Sequence, residues 1–348
     1  MIRESIIDGV SLWLPSAENT VAAGKSLAHS LFRRPVTVAL RGELGAGKTT
    51  LLRGIAHGLG YSGPVVSPSY ALVQRYALPG GGLTHVDFYR LDAPGARSLL
   101  RSAEEDATGV LCLEWAERLE EPLSGPVVEA ALREERGGRS LDIAFRDLPL
   151  PSSAQVAEWR SAVELPAHVI AHCDAVADAA DRLADALLSR GVVVRKLALR
   201  RAAELHDLLR FIDFRPEAAP KGGVAEKPSW IEWRERWPGA GHEEACSRFL
   251  EERGYSALAA IVAVHGLSVP SPARPLIEQR LLYYADKRVA LDRVVSIEDR
   301  LEALRRRPGQ RGGQGVVRRS EGDRARPVPR GAAVLIRAPT GRSPTGGS

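Results

Sequence analysis

The stretch "VTVALRGELGAGKTT", residues 36–50, joins an apolar run to a glycine-rich turn and a helix-forming segment. Gly42, Gly47, Lys48 and Thr49 match the pattern G-x-x-x-x-G-K-[ST] of a phosphate-binding loop (P-loop). The run before the turn suits a buried strand and the residues after it suit a helix, which is the context that the motif requires. The stretch therefore predicts an α/β P-loop domain that binds a nucleotide.

The residue types in this loop have physical reasons. Small residues let backbone N–H groups turn toward phosphate oxygens, and the N-terminus of the following helix favours negative charge. We expect Lys48 to reach the β- and γ-phosphates of a nucleotide and the Thr49 hydroxyl to bind Mg²⁺. The predicted nucleotide-binding residues are Gly42, Glu43, Leu44, Gly45, Ala46, Gly47, Lys48, Thr49 and Thr50.

Two acidic residues follow apolar runs that suit buried strands. Glu114 ends the run VLCLE and is the predicted second magnesium ligand beside Thr49, although a surface glutamate at a strand end would look the same. Asp87, in HVDFYR, is a predicted catalytic acid that orients water or a metal-bound water. A turn-capping aspartate fits the spacing of Asp87 equally well.

Short apolar runs alternate with helical stretches throughout residues 1–147, which predicts one α/β domain over this range. We expect strands at 10–14, 36–41, 70–76, 83–89, 110–113 and 141–145. We expect helices at 16–32, with Ser16 as the cap, and at 51–59.

Four motifs follow one another in this domain: GELGAGKTT (42–50), SPSY (67–70), HVDFYRL (85–91) and CLEWAERL (112–119). In this order they resemble the bacterial TsaE family, over about residues 5–147. The resemblance implies an ATPase that uses ATP/ADP and Mg²⁺ and works with TsaD and TsaB to make the t6A (N6-threonylcarbamoyladenosine) modification of tRNA, which is then an indirect partner. It implies that Lys48 binds phosphate, that Thr49 and Glu114 hold Mg²⁺, that Asp87 is a catalytic-site acid, and that SPSY is a switch segment.

The character of the chain changes after residue 147. The proline-rich stretch DLPLPSS predicts a linker over residues 148–164, and helical periodicity dominates from there on. This pattern predicts an all-α second domain over residues 165–305. We expect helices at 168–190, 197–212, 242–253, 256–265, 275–292 and 297–305, and an irregular connection at 215–241.

Histidines and aspartates recur through this second half in the order His172, His206, Asp207, His242, His265, Asp286. Asp286 lies one helical turn after Leu282, so an apolar helix face carries a carboxylate. A buried carboxylate is costly unless it is paired or bound to a metal. Imidazoles and carboxylates together suit one or two divalent transition metals such as Fe or Mn, which can polarise a phosphate and activate water. Taken singly, any one of these histidines fits an ordinary core or helix-end position.

This ordered set, with AELHDLL (203–209) and YYADK (283–287) around it, resembles the HD-domain phosphohydrolase superfamily over about residues 165–305. The resemblance implies a metal-dependent hydrolase of a nucleotide or phosphomonoester. It implies that the six residues are metal ligands and that Asp207 belongs to the catalytic centre. Lys287 then either binds phosphate or is a solvated lysine.

The net charge of +5 belongs to the C-terminal tail. Residues 305–348 contain eleven arginines against Glu321 and Asp323, so the rest of the chain is net negative. A tail rich in Arg, Gly and Pro cannot bury enough apolar surface to fold, and we expect residues 306–348 to be disordered. The tail either contacts RNA through its arginines or is solvated without a specific partner.

The rest of the composition indicates a cytoplasmic protein without a membrane partner. No apolar run is long enough to predict a transmembrane helix, and the N-terminus lacks a signal-peptide pattern. The three cysteines, far apart and without CxxC spacing, favour free thiols in a reducing compartment.

The sequence thus predicts a P-loop ATPase of t6A biosynthesis fused to a metal-dependent HD phosphohydrolase. Two alternatives stay open. One is a non-enzymatic, nucleotide-controlled assembly factor with a metal-stabilised docking domain. The other is a small-molecule P-loop kinase, although residues 92–120 show no evident arginine-rich lid of the kind that kinases use.

Overall fold

The computed structural model describes residues 8–32, 35–78, 81–214, 227–267 and 270–296. The first part of the chain forms seven strands: β1 Asp8–Leu14, β2 Val36–Arg41, β3 Val73–Tyr76, β4 Leu83–Asp87, β5 Val110–Glu114, β6 Val127–Glu135 and β7 Gly138–Phe145. They pair in the order β1-β7-β6-β2-β5-β4-β3. Strands β6, β2, β5 and β4 are parallel, and β1, β7 and β3 pair antiparallel to their neighbours.

Helices cover both faces of this sheet. Helices α1 (Ala17–His29) and α2 (Lys48–Gly58) pack together on one face, and α3 (Ala93–Asp106) covers the other. Ser16 caps α1 as predicted, because its hydroxyl accepts a hydrogen bond from the Asn19 N–H at 3.3 Å. The α/β architecture predicted for this part is confirmed.

Two elements of the α/β half were not predicted. Helix α3 begins with Pro94 and Gly95, which suggest a turn, but Asp92 caps the helix and proline is well tolerated in the first helical turn. Strand β6 ends in the charged residues Arg133 to Glu135, which lie exposed where the strand extends beyond its neighbour β2. Local composition therefore hid both elements.

The second part of the chain is mainly helical. It contains α4 Ser153–Ala162, α5 Ala167–Leu188, α6 Lys196–Leu205, α7 Pro228–Arg236, α8 His242–Glu251, α9 Ser256–Val262 and α10 Ile277–Arg288, followed by a short hairpin of β8 Val289–Ala290 and β9 Arg293–Val294. These helices enclose a separate apolar core. Among the described residues, none of the helices combines the length and apolar character needed to cross a lipid bilayer.

The structure differs from the predicted organisation at several places. The predicted helix 197–212 ends at Leu205, and a turn and a short 3-10 helix, Arg210–Asp213, follow it. The predicted linker 148–164 contains α4, whose Val156 and Trp159 are buried in the helical core. The predicted irregular connection 215–241 contains α7, which buries Trp230. The predicted helix 275–292 ends at Arg288, and the hairpin follows. The expected helix 297–305 and the expected disordered tail 306–348 lie outside the described residues.

A buried ion pair joins the two halves. Arg195, just before α6, donates from both terminal guanidinium nitrogens to the Asp147 carboxylate at 2.9 and 2.6 Å. The two side chains are 1% and 0% exposed. The Nε–H of Arg195 donates to the Ser30 carbonyl at the end of α1. Such a bidentate pair fixes orientation as well as distance.

The N-terminus of α6 is capped from the α/β half. The Asp8 carboxylate, in β1, accepts from the N–H groups of Leu197 and Ala198 at 3.0 and 3.2 Å. A carboxylate satisfies N–H groups that a helix leaves without partners in its first turn. Because α6 ends directly before His206, one rigid element of about 15 Å connects the α/β half to the predicted metal ligands.

We expect Asp147→Ala to lower the free energy of unfolding by about 3–5 kcal/mol, because the variant leaves the Arg195 charge buried without its partner. Asp106→Ala is the control. It removes an ion pair with Arg75 in which both side chains are 59% exposed, and it should cost at most about 1 kcal/mol. Urea denaturation measures both variants, and equal losses would show that the buried pair does not stabilise the contact between the halves.

Candidate functional site

The predicted phosphate loop lies between β2 and α2. Gly42, Gly45 and Gly47 have φ angles of 136°, 86° and 105°, in a region that favours glycine. A Cβ atom on Gly42 would lie 2.3 Å from the Leu132 carbonyl oxygen of β6. The sharp turn and the close approach of β6 both require glycine, so the loop is held against the sheet.

Lys48 lies folded into this loop. Its Nζ donates to the carbonyls of Gly42 and Glu43 at 2.6 and 2.9 Å, and it stands 3.6 Å from the centre of the Trp115 ring. Burial lowers the pKa of the Lys48 amine, and the charges of Glu117, Glu114 and Asp87 oppose that shift. A cation held among carbonyls and carboxylates is placed to meet an anion entering the loop.

Thr49 and Glu114 meet at the mouth of the loop. The Thr49 hydroxyl donates to Oε2 of Glu114 at 3.0 Å. The other carboxylate oxygen of Glu114 accepts from Nε2 of the fully buried His85 at 2.9 Å. His85 therefore fixes the orientation of Glu114. The sequence analysis did not select His85, although it lies in HVDFYRL two residues before Asp87, where a buried strand residue shares the face of Asp87.

Asp87 holds the SPSY loop. Its Oδ2 accepts from the hydroxyls of Ser67 and Ser69 at 2.6 and 2.7 Å, and its Oδ1 accepts from the Tyr89 N–H at 2.9 Å. Asp87 is 1% exposed and lies opposite Glu114 in the pairing of β4 with β5. The structure thus brings Lys48, Thr49, Asp87 and Glu114 to one edge of the sheet.

Trp115 covers the same edge. It has a left-handed backbone conformation, with φ of 59°, which is uncommon for a bulky residue. This conformation places its ring against both Lys48 and Tyr89, whose ring centre is 4.8 Å away. Local backbone strain of this kind clusters at functional sites.

The six predicted metal ligands of the helical half also lie together. Asp207 Oδ1 lies 3.1 Å from Nε2 of His242 and 3.6 Å from Nε2 of His265, and its Oδ2 lies 3.7 Å from Nε2 of His206. Asp286 Oδ1 lies 3.2 Å from Nε2 of His172 and 3.9 Å from Nε2 of His206. Two carboxylates therefore stand among four imidazoles.

The donor atoms fall into three overlapping groups whose ligand atoms lie within 4.8 Å of one another. They are His172, His206 and Asp286; His206, Asp207 and His265; and His242, Glu243 and His265. Glu243 was not predicted, because an acidic residue in the first turn of a helix is common for other reasons. His168, one turn before His172, is exposed and belongs to none of these groups.

The chemistry of the cluster suits a divalent metal. Nε2 of His206 and of His265 is buried, and within the described part of the chain neither atom has a hydrogen-bond partner, while each Nδ1 faces a backbone carbonyl. Burial lowers the pKa of His206 to about 4, which keeps its imidazole neutral. Neutral imidazoles whose Nδ1–H is tied to the backbone are typical metal ligands.

The carboxylates of the cluster are charged. Burial favours their neutral form, but the nearby His206 and a hydrogen bond from His242 hold the pKa of Asp207 well below its usual range. Lys287 contacts the Asp286 carboxylate, and its side chain is 13% exposed. The alternative of a freely solvated Lys287 does not fit that burial.

The sheet order, the glycine loop and the Thr49–Glu114 contact define a P-loop nucleotide-binding protein. A family model described as "Threonylcarbamoyl adenosine biosynthesis protein TsaE" matches residues 14–141. A relative from Haemophilus influenzae, named tRNA threonylcarbamoyladenosine biosynthesis protein TsaE, is 35% identical over 117 residues, which are 32% of this chain and 74% of the relative. A relative of the same name from Mycobacterium tuberculosis is 38% identical over 133 residues, which are 35% of this chain and 77% of the relative. The chain belongs to the TsaE family.

Among solved structures, the chain is similar to the crystal structure of Bacillus subtilis YdiB. The sequence identity is 26%, and the match covers 40% of this chain and 87% of that one, with a TM-score of 0.34. The family-model match ends at residue 141 and so lies within the α/β half.

Proposed function

We propose that the α/β half hydrolyses ATP as a component of tRNA threonylcarbamoyladenosine biosynthesis, the process in the names of its relatives. The observation that supports this most is the 3.0 Å hydrogen bond between Thr49 and Glu114. It joins a hydroxyl and a carboxylate, ligands that suit Mg²⁺, beside the phosphate loop. Bound Mg²⁺ would neutralise charge on the β- and γ-phosphates.

The residues of the loop have distinct roles in this proposal. The backbone N–H groups of residues 42–50 hold the phosphates, and Lys48 exchanges its two carbonyl partners for phosphate oxygens. Glu114 and Thr49 hold the metal, and His85 is a positioning residue that orients Glu114. Trp115 shields the Lys48 amine from water on one side, which strengthens its interaction with phosphate.

Asp87 is the proposed catalytic acidic residue, and its carboxylate orients the attacking water. Its carboxylate also holds Ser67 and Ser69, so its position and that of the SPSY loop change together. This contact supports the proposal that SPSY is a switch segment that responds to the nucleotide. TsaD and TsaB are the proposed partners, and tRNA is an indirect partner that interacts with the chain only through them.

We expect Lys48→Ala to abolish phosphate release from ATP and to weaken binding of Mg²⁺-ATP by about 100-fold or more, because the charge facing the β- and γ-phosphates is lost. Lys25→Ala, on α1, is the control. Phosphate release and nucleotide titration measure the two effects. Lost affinity in a protein whose wild type does not hydrolyse ATP would favour the assembly-factor alternative. Formation of ADP only with an added acceptor, and without release of phosphate, would favour the kinase, because the phosphoryl group then goes to the acceptor.

We further propose that the helical half is an HD-type phosphohydrolase that acts on a nucleotide or phosphomonoester. The supporting observation is the cluster of four imidazoles around Asp207 and Asp286, with two buried Nε2 atoms free to coordinate. A bound divalent metal, such as Fe or Mn, would polarise the phosphate and activate water. Lys287, held between Asp286 and the His265 carbonyl, is placed to meet a phosphate oxygen.

We expect the purified full chain to contain a divalent transition metal and to hydrolyse a member of a phosphoester panel. Asp207→Ala should lose most of the metal and the hydrolysis, because it removes the carboxylate nearest to three imidazoles, whereas Lys48→Ala should retain both. Asp185→Ala, an exposed residue of α5, is the control. Mass spectrometry measures the metal content, and phosphate release measures the hydrolysis. Values for Asp207→Ala equal to those of the wild type in both measurements would contradict the assignment.

A further inference from the structure

The guanidinium of Arg139 lies against the phosphate loop. Arg139 is the second residue of β7, paired with Leu14 of β1 and Glu134 of β6. A Cβ atom on Gly47 would lie 3.0 Å from Nη1 of Arg139 and 3.5 Å from its Cζ. Glycine at position 47 therefore gives both the left-handed turn and the room for this arginine. A cation thus stands directly beside the N-terminus of α2.

This guanidinium is only partly satisfied by protein atoms. Its Nη1 donates to the Thr20 hydroxyl at 3.3 Å, and that hydroxyl in turn donates to the Ser16 carbonyl at 3.1 Å. Its Nε is buried without a hydrogen-bond partner in the part of the chain that the structure describes. Within those same residues, no carboxylate forms an ion pair with Arg139. A half-buried cation without an anion is placed to bind one.

The order of the strands indicates which phosphate group of a bound nucleotide would lie nearest to Arg139. Glu114 and Asp87 lie on β5 and β4, on one side of β2, and Arg139 lies on β7, on the other side. The metal and the γ-phosphate belong on the side of the carboxylates. A nucleotide that crosses the loop therefore turns its α-phosphate toward β6 and β7.

We propose that Arg139, positioned by Thr20, binds the α-phosphate of the nucleotide. The inference rests on the proposed function of the loop as a nucleotide site. Because the α-phosphate is common to ADP and ATP, Arg139 contributes equally to the binding of both. Lys48, in contrast, contributes more to the binding of ATP than to that of ADP, because its proposed partners include the γ-phosphate. Arg139 is a binding residue in this proposal and takes no part in cleaving the γ-phosphate.

Isothermal titration of the full chain with ADP and with a non-hydrolysable ATP analogue, each with Mg²⁺, tests this. We expect Arg139→Gln to weaken the binding of both ligands by about tenfold or more and to about the same extent, since a charged hydrogen bond is lost. Arg133→Gln is the matched control. It lies on the neighbouring strand with its side chain 67% exposed and paired with Asp142, and it should bind as the wild type does.

Each outcome decides the proposal. Unchanged affinity of Arg139→Gln, or a loss confined to the ATP analogue, overturns it. If the Gln variant does not unfold cooperatively, Arg139→Lys takes its place. Arg139→Lys keeps the charge but loses the planar guanidinium and its fixed donor geometry. We therefore expect a smaller loss of affinity, equal for the two ligands, and unchanged affinity again overturns the proposal. If the wild type binds neither ligand, the proposed nucleotide site itself fails. If Lys48→Ala loses binding while Arg139→Gln keeps it, only the role of Arg139 fails.

Discussion

The parallel pairing of β2, β5 and β4 is the constraint on which the α/β half depends. Its register places Leu40 opposite Glu114 and Glu114 opposite Asp87. Because parallel strands end at the same edge of the sheet, the loop after β2 and the two carboxylates lie next to one another. Both acids are buried, and each is held by a hydroxyl or an imidazole. The sheet therefore fixes the positions of the two carboxylates relative to the loop.

A second constraint links this sheet to the helical half. Both α6 and α10 begin at one buried polar contact, where Glu278 accepts from the Ser30 hydroxyl and from the Arg195 N–H. Their opposite ends carry His206 and Asp286. Burial raises the pKa of Glu278, and its contact with Arg195 and Ser30 opposes that shift. Two of the helices that position the predicted metal ligands, α6 and α10, thus have their N-termini fixed by the α/β half. Both sites lie within one compact unit.

The sequence predicted those features that depend on short-range pattern. The loop at 42–50 and the strand at 36–41 follow from glycine spacing and an apolar run, and both occur where expected. Helix α4 was missed because DLPLPSS outweighed the buried Val156 and Trp159, whose partners come from distant helices. His85, Arg139 and the Asp147–Arg195 pair could not be found for a related reason. Their significance arises only when segments that are far apart in sequence become neighbours.

We infer that Glu114, hydrogen-bonded to Thr49, makes this loop a site of ATP hydrolysis. Phosphate release by the full chain, in the presence of TsaD and TsaB, is the measurement that decides this. Glu114→Gln retains the size of the side chain and one acceptor oxygen, but its amide nitrogen donates where the carboxylate accepts, and the negative charge that a metal requires is removed. We expect this variant to bind nucleotide still and to release phosphate at least about 100-fold more slowly than the wild type. We expect Glu120→Gln, in which the replaced side chain is 74% exposed, to behave as the wild type. Equal rates for Glu114→Gln and the wild type would contradict it.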